Sequence, residues 1–509
     1  MRSKEATPYL KIASGLLYMV LSLPALERVA TAQEPFRPVP RASCGSGDRQ
    51  ETLQGQTTLA ERFRVGPAIA YNCNLELIGQ FEGEGAADGL ALFDKCAYFS
   101  IAENPPAQHP GVAVLDISDL RHPELTGYLN SPAMLTANES LTSSASRGLL
   151  LASAIPNIAA APFDLYDLSN DCRHPVLRSS KALPRVYSHA GKFAESGQTY
   201  YGAIWGIAMP TSGSPDATFP TLSGVFAIDT TDVTNPRTLA TWIPAKGEWK
   251  THAVSLNREG SRAYVSLMRL EDDRDKSPSP NGLAILDISD IQAHKPNAQF
   301  HLVSTLFWAD THLAQLTLPV QISGHSYLIW TDLAGALGLK TPPPPDVCGS
   351  DTPNYGFARI IDIGDEQHPK TTSKLMLEVD DPANCAKVVH DPTLPFGYGS
   401  FGCDVDNEQD AKLLACGRFE AGLRVFDIRD PVHPVEVAYY KPAARRTQRR
   451  PGSMFFGMPT KDHTADQVII PKFLDHGQVI GFISFDNGFQ VVRFTDRFRA
   501  SHRNLFQSP

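Results

Sequence analysis

Beyond Ala25 the 509-residue chain lacks any further uninterrupted apolar run of about 18 residues, so the mature chain is expected to carry no transmembrane helix. A surplus of basic charge is missing as well. The formal net charge of −9 and a pI near 5.9 argue against a nucleic-acid partner, which needs a concentrated positive surface. One basic cluster exists, Arg445, Arg446, Arg449 and Arg450 near Lys441; it reads as a solvated loop, with an anionic ligand or surface contact as the alternative. The chain has no Gly-x-Ser-x-Gly elbow, P-loop, dinucleotide fingerprint or HExxH helix in a supporting context, so no nucleotide cofactor is expected. Its cysteine spacings form no CxxC redox motif and no structural zinc signature.

The N-terminus carries the first positive signal. Arg2, Lys4 and Lys11 lead into an apolar stretch from Ile12 to Ala25, interrupted by Pro24, and Ala30-Thr31-Ala32 precedes Gln33. That order predicts a signal peptide over residues 1–32, cleaved after Ala32. Residues 33–70 read as a leader and linker, poorly ordered from Pro35 to Gln56, and residues 71–509 as one domain with a C-terminal tail. Eight cysteines, all beyond the signal, suit an oxidising compartment and a secreted or periplasmic location, with peripheral attachment at the cell surface as a variant. Sequence does not choose among their pairings, although Cys403 with Cys416 and Cys348 with Cys385 are suggested by proximity.

A repeat organises the rest. Its clearest copies are Gly111-Val-Ala-Val-Leu-Asp-Ile-Ser-Asp119 and Gly282-Leu-Ala-Ile-Leu-Asp-Ile-Ser-Asp290, with relatives beginning at Gly224 and Gly422 and weaker ones at Pro162 and Phe357. A seventh starts at Gly488 and carries Arg493 where the others have Asp116, Asp167, Asp229, Asp287, Asp362 and Asp427. In each unit a β-rich run ends at the aspartate, a polar turn follows, and a proline opens another strand, as at Pro123, Pro236 and Pro434. The aspartates are expected to close turns rather than act in catalysis.

The chain ends supply the blade count. Cys73-Asn-Leu-Glu-Leu-Ile-Gly79 looks like an outer strand with no repeat before it, and the seventh repeat lacks an outer strand after it. The expectation is therefore an all-β, seven-bladed β-propeller with four-stranded blades, its N-terminal strand closing the last blade. These repeats resemble the LVIVD repeat family over residues 73 to 496, which implies a propeller in an extracytoplasmic or surface protein but no agreed reaction.

Blade topology places the long loops on the face where inner strands begin. His189, His252 and His312 stand at comparable inner-strand starts in three successive blades, and are the expected ligands of a zinc, iron or copper ion. Asp88, Glu139 and His463 are the expected proton-transfer or orienting groups, with Cys403-Asp404 near the corresponding place in the sixth blade. A polar channel without metal is the competing reading. Trp205, Trp249, Trp308 and Trp330 read as pocket lining or interblade packing. His390 reads as a loop or turn residue, and His325 and His476 belong near the opposite face. The expected function is an exported propeller with an axial polar ligand site, a metal-dependent hydrolase, lyase or isomerase acting on a small metabolite. The alternative is a noncatalytic propeller that binds a small molecule or an extracytoplasmic protein, so enzymatic activity stays open at this level.

Overall fold

In six of the seven repeats the run of branched and aromatic residues stops where a side chain closes the turn. In the computed structural model of the chain, Asp116, Asp167, Asp229, Asp287, Asp362 and Asp427 each accept the main-chain N–H two residues on, at 2.8 to 3.1 Å. This capping answers backbone donors that the strand ladder no longer reaches. A second aspartate three or four residues later repeats the device. Asp119, Asp171, Asp365 and Asp430 each hold the Nδ1 of the histidine three residues on, His122, His174, His368 and His433, at 2.9 to 3.0 Å. These four imidazoles are thereby turn elements, not site residues. Arg493 departs from the pattern because it faces Glu76 across the closing strand pair and forms an ion pair with it.

The structure describes residues 37–58, 69–104, 106–154, 162–183, 188–204, 223–244, 249–268, 281–337, 348–349, 351–390, 396–445, 448–460 and 463–506. The expected signal segment, Trp205 and Arg446 lie outside them.

Seven antiparallel meanders follow one another along the chain. Blade 1 runs Leu90–Phe93, Cys96–Ile101, Gly111–Asp116 and Glu124–Leu129, and blade 2 runs Thr142–Ser144, Leu149–Ser153, Pro162–Asp167 and Val176–Ala182. Blade 3 comprises Ala190–Phe193, Thr199–Ile204, Gly224–Asp229 and Arg237–Trp242, and blade 4 Lys250–Leu256, Arg262–Met268, Asn281–Asp287 and His301–Trp308. Blade 5 comprises His312–Ile322, His325–Ala334, Ala358–Asp362 and Lys370–Leu375, and blade 6 Ser400–Val405, Leu413–Arg418, Gly422–Asp427 and Val435–Lys441. Blade 7 takes Val468–Leu474, Val479–Ser484 and Gly488–Phe494 from the C-terminal end and Leu75–Phe81 from the N-terminal end, in the register Leu75 opposite Phe494. The chain is a seven-bladed β-propeller.

Packing between neighbouring blades explains the burial pattern. The second strands Cys96–Ile101, Leu149–Ser153 and Thr199–Ile204 are buried at every residue, whereas the outer strand Val176–Ala182 is mostly exposed. Covered on both faces, the second strands have no use for polar alternation. The repeat glycine serves close approach: a Cβ on Gly111 (φ +123°) or Gly224 would sit 2.2 or 2.1 Å from the carbonyl oxygen of Leu129 or Trp242 on the outer strand. The eight cysteines form four disulfides, Cys44–Cys73, Cys96–Cys172, Cys348–Cys385 and Cys403–Cys416, the last two as proximity suggested. No helix among the described residues is long and apolar enough to cross a membrane.

Two expectations change at the N-terminus. Blade 6 is five-stranded, because Tyr71–Cys73 pairs with Val435–Lys441 before the chain crosses to blade 7. Residues 37–58 are not a loose leader either: they pack on blades 5 and 6, held by Cys44–Cys73 and by the main-chain bond from Val39 to Met376. At their centre Glu51 receives both terminal nitrogens of Arg424 at 2.7 Å and lies 3.4 Å from Lys441 Nζ, while Glu436 takes Arg424 at 2.9 Å. Burial pulls the Lys441 ammonium down to about 8, with the Glu51 carboxylate acting against it. Lys441 is thus a core residue rather than part of a solvated basic loop, and Arg449 is buried too. Only Arg445 of the described basic cluster is exposed.

Glu51→Ala leaves two buried cations short of their counter-charge and is expected to cost about 3–5 kcal/mol in chemical denaturation. Substitution of the exposed Asp119 should shift the denaturation midpoint far less.

Candidate metal centre

The inner strands of blades 1, 4 and 5 share one local device. At Asp88, His252 and Gln315 the chain makes an irregular step, and the next residue's N–H is caught by a hydroxyl on the neighbouring strand. Gly89 N–H donates to Ser100 Oγ at 2.7 Å, Ala253 N–H to Ser266 Oγ at 2.7 Å, and Leu316 N–H to Thr331 Oγ1 at 3.0 Å. In blades 4 and 5 this step is a bulge, between Thr251 and Val254 and between Ala314 and Thr317. A bulge re-aims the side chain it carries, and such steps recur beside functional sites. Asp88, His252 and Gln315 are therefore equivalent positions of three blades.

Blades 2 and 3 reach the same place differently. Glu139 sits in the short 3-10 turn Asn138–Ser140 ahead of its inner strand, and His189 immediately precedes Ala190–Phe193, anchored by its N–H to the carbonyl of Ala203.

Together these residues form a buried cluster. The ligand atoms of Glu139, His189 and His252 all lie within 4.8 Å of one another. His189 Nε2 is 3.4 Å from Glu139 Oε1, and His252 Nδ1 is 4.0 Å from Glu139 Oε2. The two imidazoles meet edge to face, their centroids 4.2 Å apart. Gln315 Nε2 donates to Glu139 Oε1 at 3.0 Å. His252 is hydrogen-bonded to the Gln315 main chain, yet burial, and next the charge of His189, hold its pKa well below the usual imidazole value. It is neutral at neutral pH, the form that ligates metals. Burial and the neighbouring Glu139 push Asp88 up to about 7, against the opposing pull of His189.

The expected site is thus redistributed. His189 and His252 come together as anticipated, but their third partner is Glu139, read from sequence as a proton-transfer group. His312 is not in the cluster: it opens its strand opposite Ala334, three residues before the bulge, and Gln315 holds the position equivalent to His252. Taking the first residue of the strand as the equivalent placed blade 5 three residues out of register. Sequence reasoning missed Gln315, for which the hydroxyl-bearing Thr331 on the next strand was the only available signal. His463 is buried beside Gln467, whose amide lies 3.2 Å from its Nδ1, and does not join the metal-binding group. Cys403 and Asp404 do not reach it either, since Cys403 is in a disulfide and Asp404 is paired with Lys472.

Other histidines and tryptophans have structural partners. His390 lies 2.8 Å from the Tyr355 hydroxyl, and His325 pairs with the turn aspartate Asp362 at 2.7 Å. Trp308 and Trp330 pack edge to face at 4.8 Å with Arg359 above Trp308, and Trp249 stacks on Phe307.

Neither a family model nor a curated protein matches the chain. Solved structures resemble it in outline. Hydrazine synthase from Kuenenia stuttgartiensis aligns at 11% identity and a TM-score of 0.48, covering 82% of this chain and 96% of that one. The Swd1 β-propeller domain of Myceliophteria thermophila aligns at 9% identity and 0.46, covering 83% and 99%. A protein from Lactobacillus plantarum aligns at 10% identity and 0.44, covering 76% and 88%. At this distance the likenesses say nothing about chemistry, and the blade count rests on the strand pairing itself.

Asp88 gives the metal-free protein a pH signature. Folded Asp88 keeps its proton to about 7, whereas an unfolded aspartate releases it near 3.8, so the stabilisation it gives is complete below that lower value and is lost as pH rises to about 7. Chelator-treated protein should therefore lose stability across this window in thermal melts. Asp88→Asn should flatten the slope.

Proposed function

We propose that the chain is an exported β-propeller whose axial cluster binds a divalent transition metal, zinc, iron or copper, and acts on a small metabolite as a hydrolase, lyase or isomerase. The observation that carries this reading is the convergence of Glu139, His189 and His252 from three consecutive blades within 4.8 Å. Two imidazoles and one carboxylate are a donor set of catalytic zinc and non-haem iron sites, which keep positions open for substrate. The surroundings favour a cation. Asp88 Oδ1, Glu139 Oε2 and Gln315 Oε1 are buried acceptors that receive no hydrogen bond from the described residues. An anion placed among these oxygens would meet further acceptors, an unfavourable arrangement in a buried setting.

The hydrogen bond from the His252 ring to the Gln315 main chain fits the same reading, because an outer partner of this kind fixes the orientation of a ligating imidazole. A metal held here would polarise a carbonyl or activate water. Asp88, poised near neutrality beside the cluster, suits the transfer of a proton to or from the substrate. Four disulfides support the export half of the proposal, since such bonds persist in oxidising compartments. The likeness of the repeats to the LVIVD family supports an extracytoplasmic setting. A propeller that binds its ligand without turnover would use the same cluster and is separated from the enzyme by activity alone.

Elemental analysis of protein purified without a polyhistidine tag tests the site. About one metal ion per chain is expected in the wild type. His252→Ala and Glu139→Ala should lose it and His312→Ala should keep it. Acidification through the imidazole range should release the ion, because protons compete for its ligands. Wild-type protein that holds no metal, even after reconstitution, would overturn the proposal.

A further inference from the structure

Two of the three candidate ligands lean on the same residue. Gln315 is 1% exposed and occupies the blade 5 bulge. Its Nε2 donates to Glu139 Oε1 on blade 2 at 3.0 Å, and its main chain is hydrogen-bonded to His252 on blade 4. A carboxylate only accepts hydrogen bonds, so the amide nitrogen must be the atom turned toward Glu139. That fixes the remaining geometry of the acid. Glu139 Oε1 is engaged by Gln315 and lies 3.4 Å from His189 Nε2, whereas Oε2, 4.0 Å from His252 Nδ1, receives no hydrogen bond among the described residues.

We infer that Gln315 is a positioning residue for the metal centre: it occupies Glu139 Oε1 so that the acid binds the ion through Oε2 alone, and it sets the ring of His252 through its main chain. This rests on the metal-binding reading above. The bulge is what makes the role possible. In a regular strand, alternation would carry successive side chains to opposite faces, while the step after Ala314, pinned by Thr331 Oγ1 on Leu316 N–H, turns Gln315 to the place that His252 holds one blade earlier. Gln315 Oε1, a buried acceptor without a donor among the described residues, is then left to a donor group of the substrate.

The test uses the full chain with Gln315→Met, close in length and unable to donate, and Gln315→Leu as a second variant. Each is checked for folding by its melting curve, then titrated with zinc against a competing chelator and, separately, with cobalt for its absorption spectrum. The expected result is a 10- to 100-fold loss of zinc affinity, on the order typical of outer-partner removal, with a changed cobalt spectrum as the freed carboxylate rotates. Affinity and spectrum both equal to the wild type would overturn the inference, and so would weaker binding with an unchanged spectrum, which marks general loosening. Infrared spectroscopy of the zinc-loaded wild type needs no variant: a carboxylate stretch of single-oxygen coordination, absent in Glu139→Ala, is expected, and two-oxygen coordination would overturn it. A wild type that takes up neither metal removes the metal reading and this inference together, whereas metal uptake insensitive to Gln315 removes this inference alone.

Discussion

Closure of the ring by Leu75–Phe81 against Gly488–Phe494 is the constraint on which the other features depend. Seven blades packed around one axis can gather polar side chains from several different sheets only if the first and last blades are fixed to each other. The pairing removes the free edge that blade 7 would otherwise offer. It is reinforced from the N-terminal side, where Tyr71–Cys73 joins blade 6, Cys44–Cys73 ties the preceding segment to it, and the Glu51–Arg424 pair is buried beneath. The chain therefore stitches blades 6 and 7 together with a single passage.

Within that ring, structural and site chemistry separate by face. Strands end in aspartates that cap turns, and four of these turns add a histidine held by a second aspartate. Inner strands begin at the other face, where bulges and a short 3-10 turn direct Asp88, Glu139, His189, His252 and Gln315 inward. The bulge positions of blades 6 and 7 carry Phe401 and Ile469 instead, both buried in the apolar core. The polar part of the cluster thus belongs to five blades, and the remaining two contribute packing.

Metal chemistry fits this arrangement for a reason of desolvation. Two carboxylates and two imidazoles taken from water are costly unless a cation or a proton compensates them. Asp88 already shows the strain, holding its proton near neutrality because water is excluded and Glu139 is close. A divalent ion among Glu139, His189 and His252 would relieve the same repulsion, and the buried oxygens that accept nothing from the described residues would then have a partner.

Much of the fold could be read from sequence because a repeat states its own period: six aspartates, the Arg493 exception and the unmatched strand at residues 73–79 determined seven blades and their closure. Arg493 itself became intelligible only through its pairing with Glu76, which comes from the far end of the chain. His189, His252, Glu139 and Asp88 were legible as candidates, since inner-strand starts can be located by pattern. Their division of roles was not. Whether blade 5 offers His312 or Gln315 depends on where along the strand the bulge falls, which the hydrophobic pattern on which sequence reading relies does not show. The burial of Glu51 and Lys441 likewise followed from contacts between residues nearly 400 positions apart, whose charges in sequence look like those of any solvated segment. Sequence by itself determined the number, order and closure of the blades, because those follow from local periodicity. The tertiary structure decided which side chains meet at the axis, because that depends on register between strands of different blades.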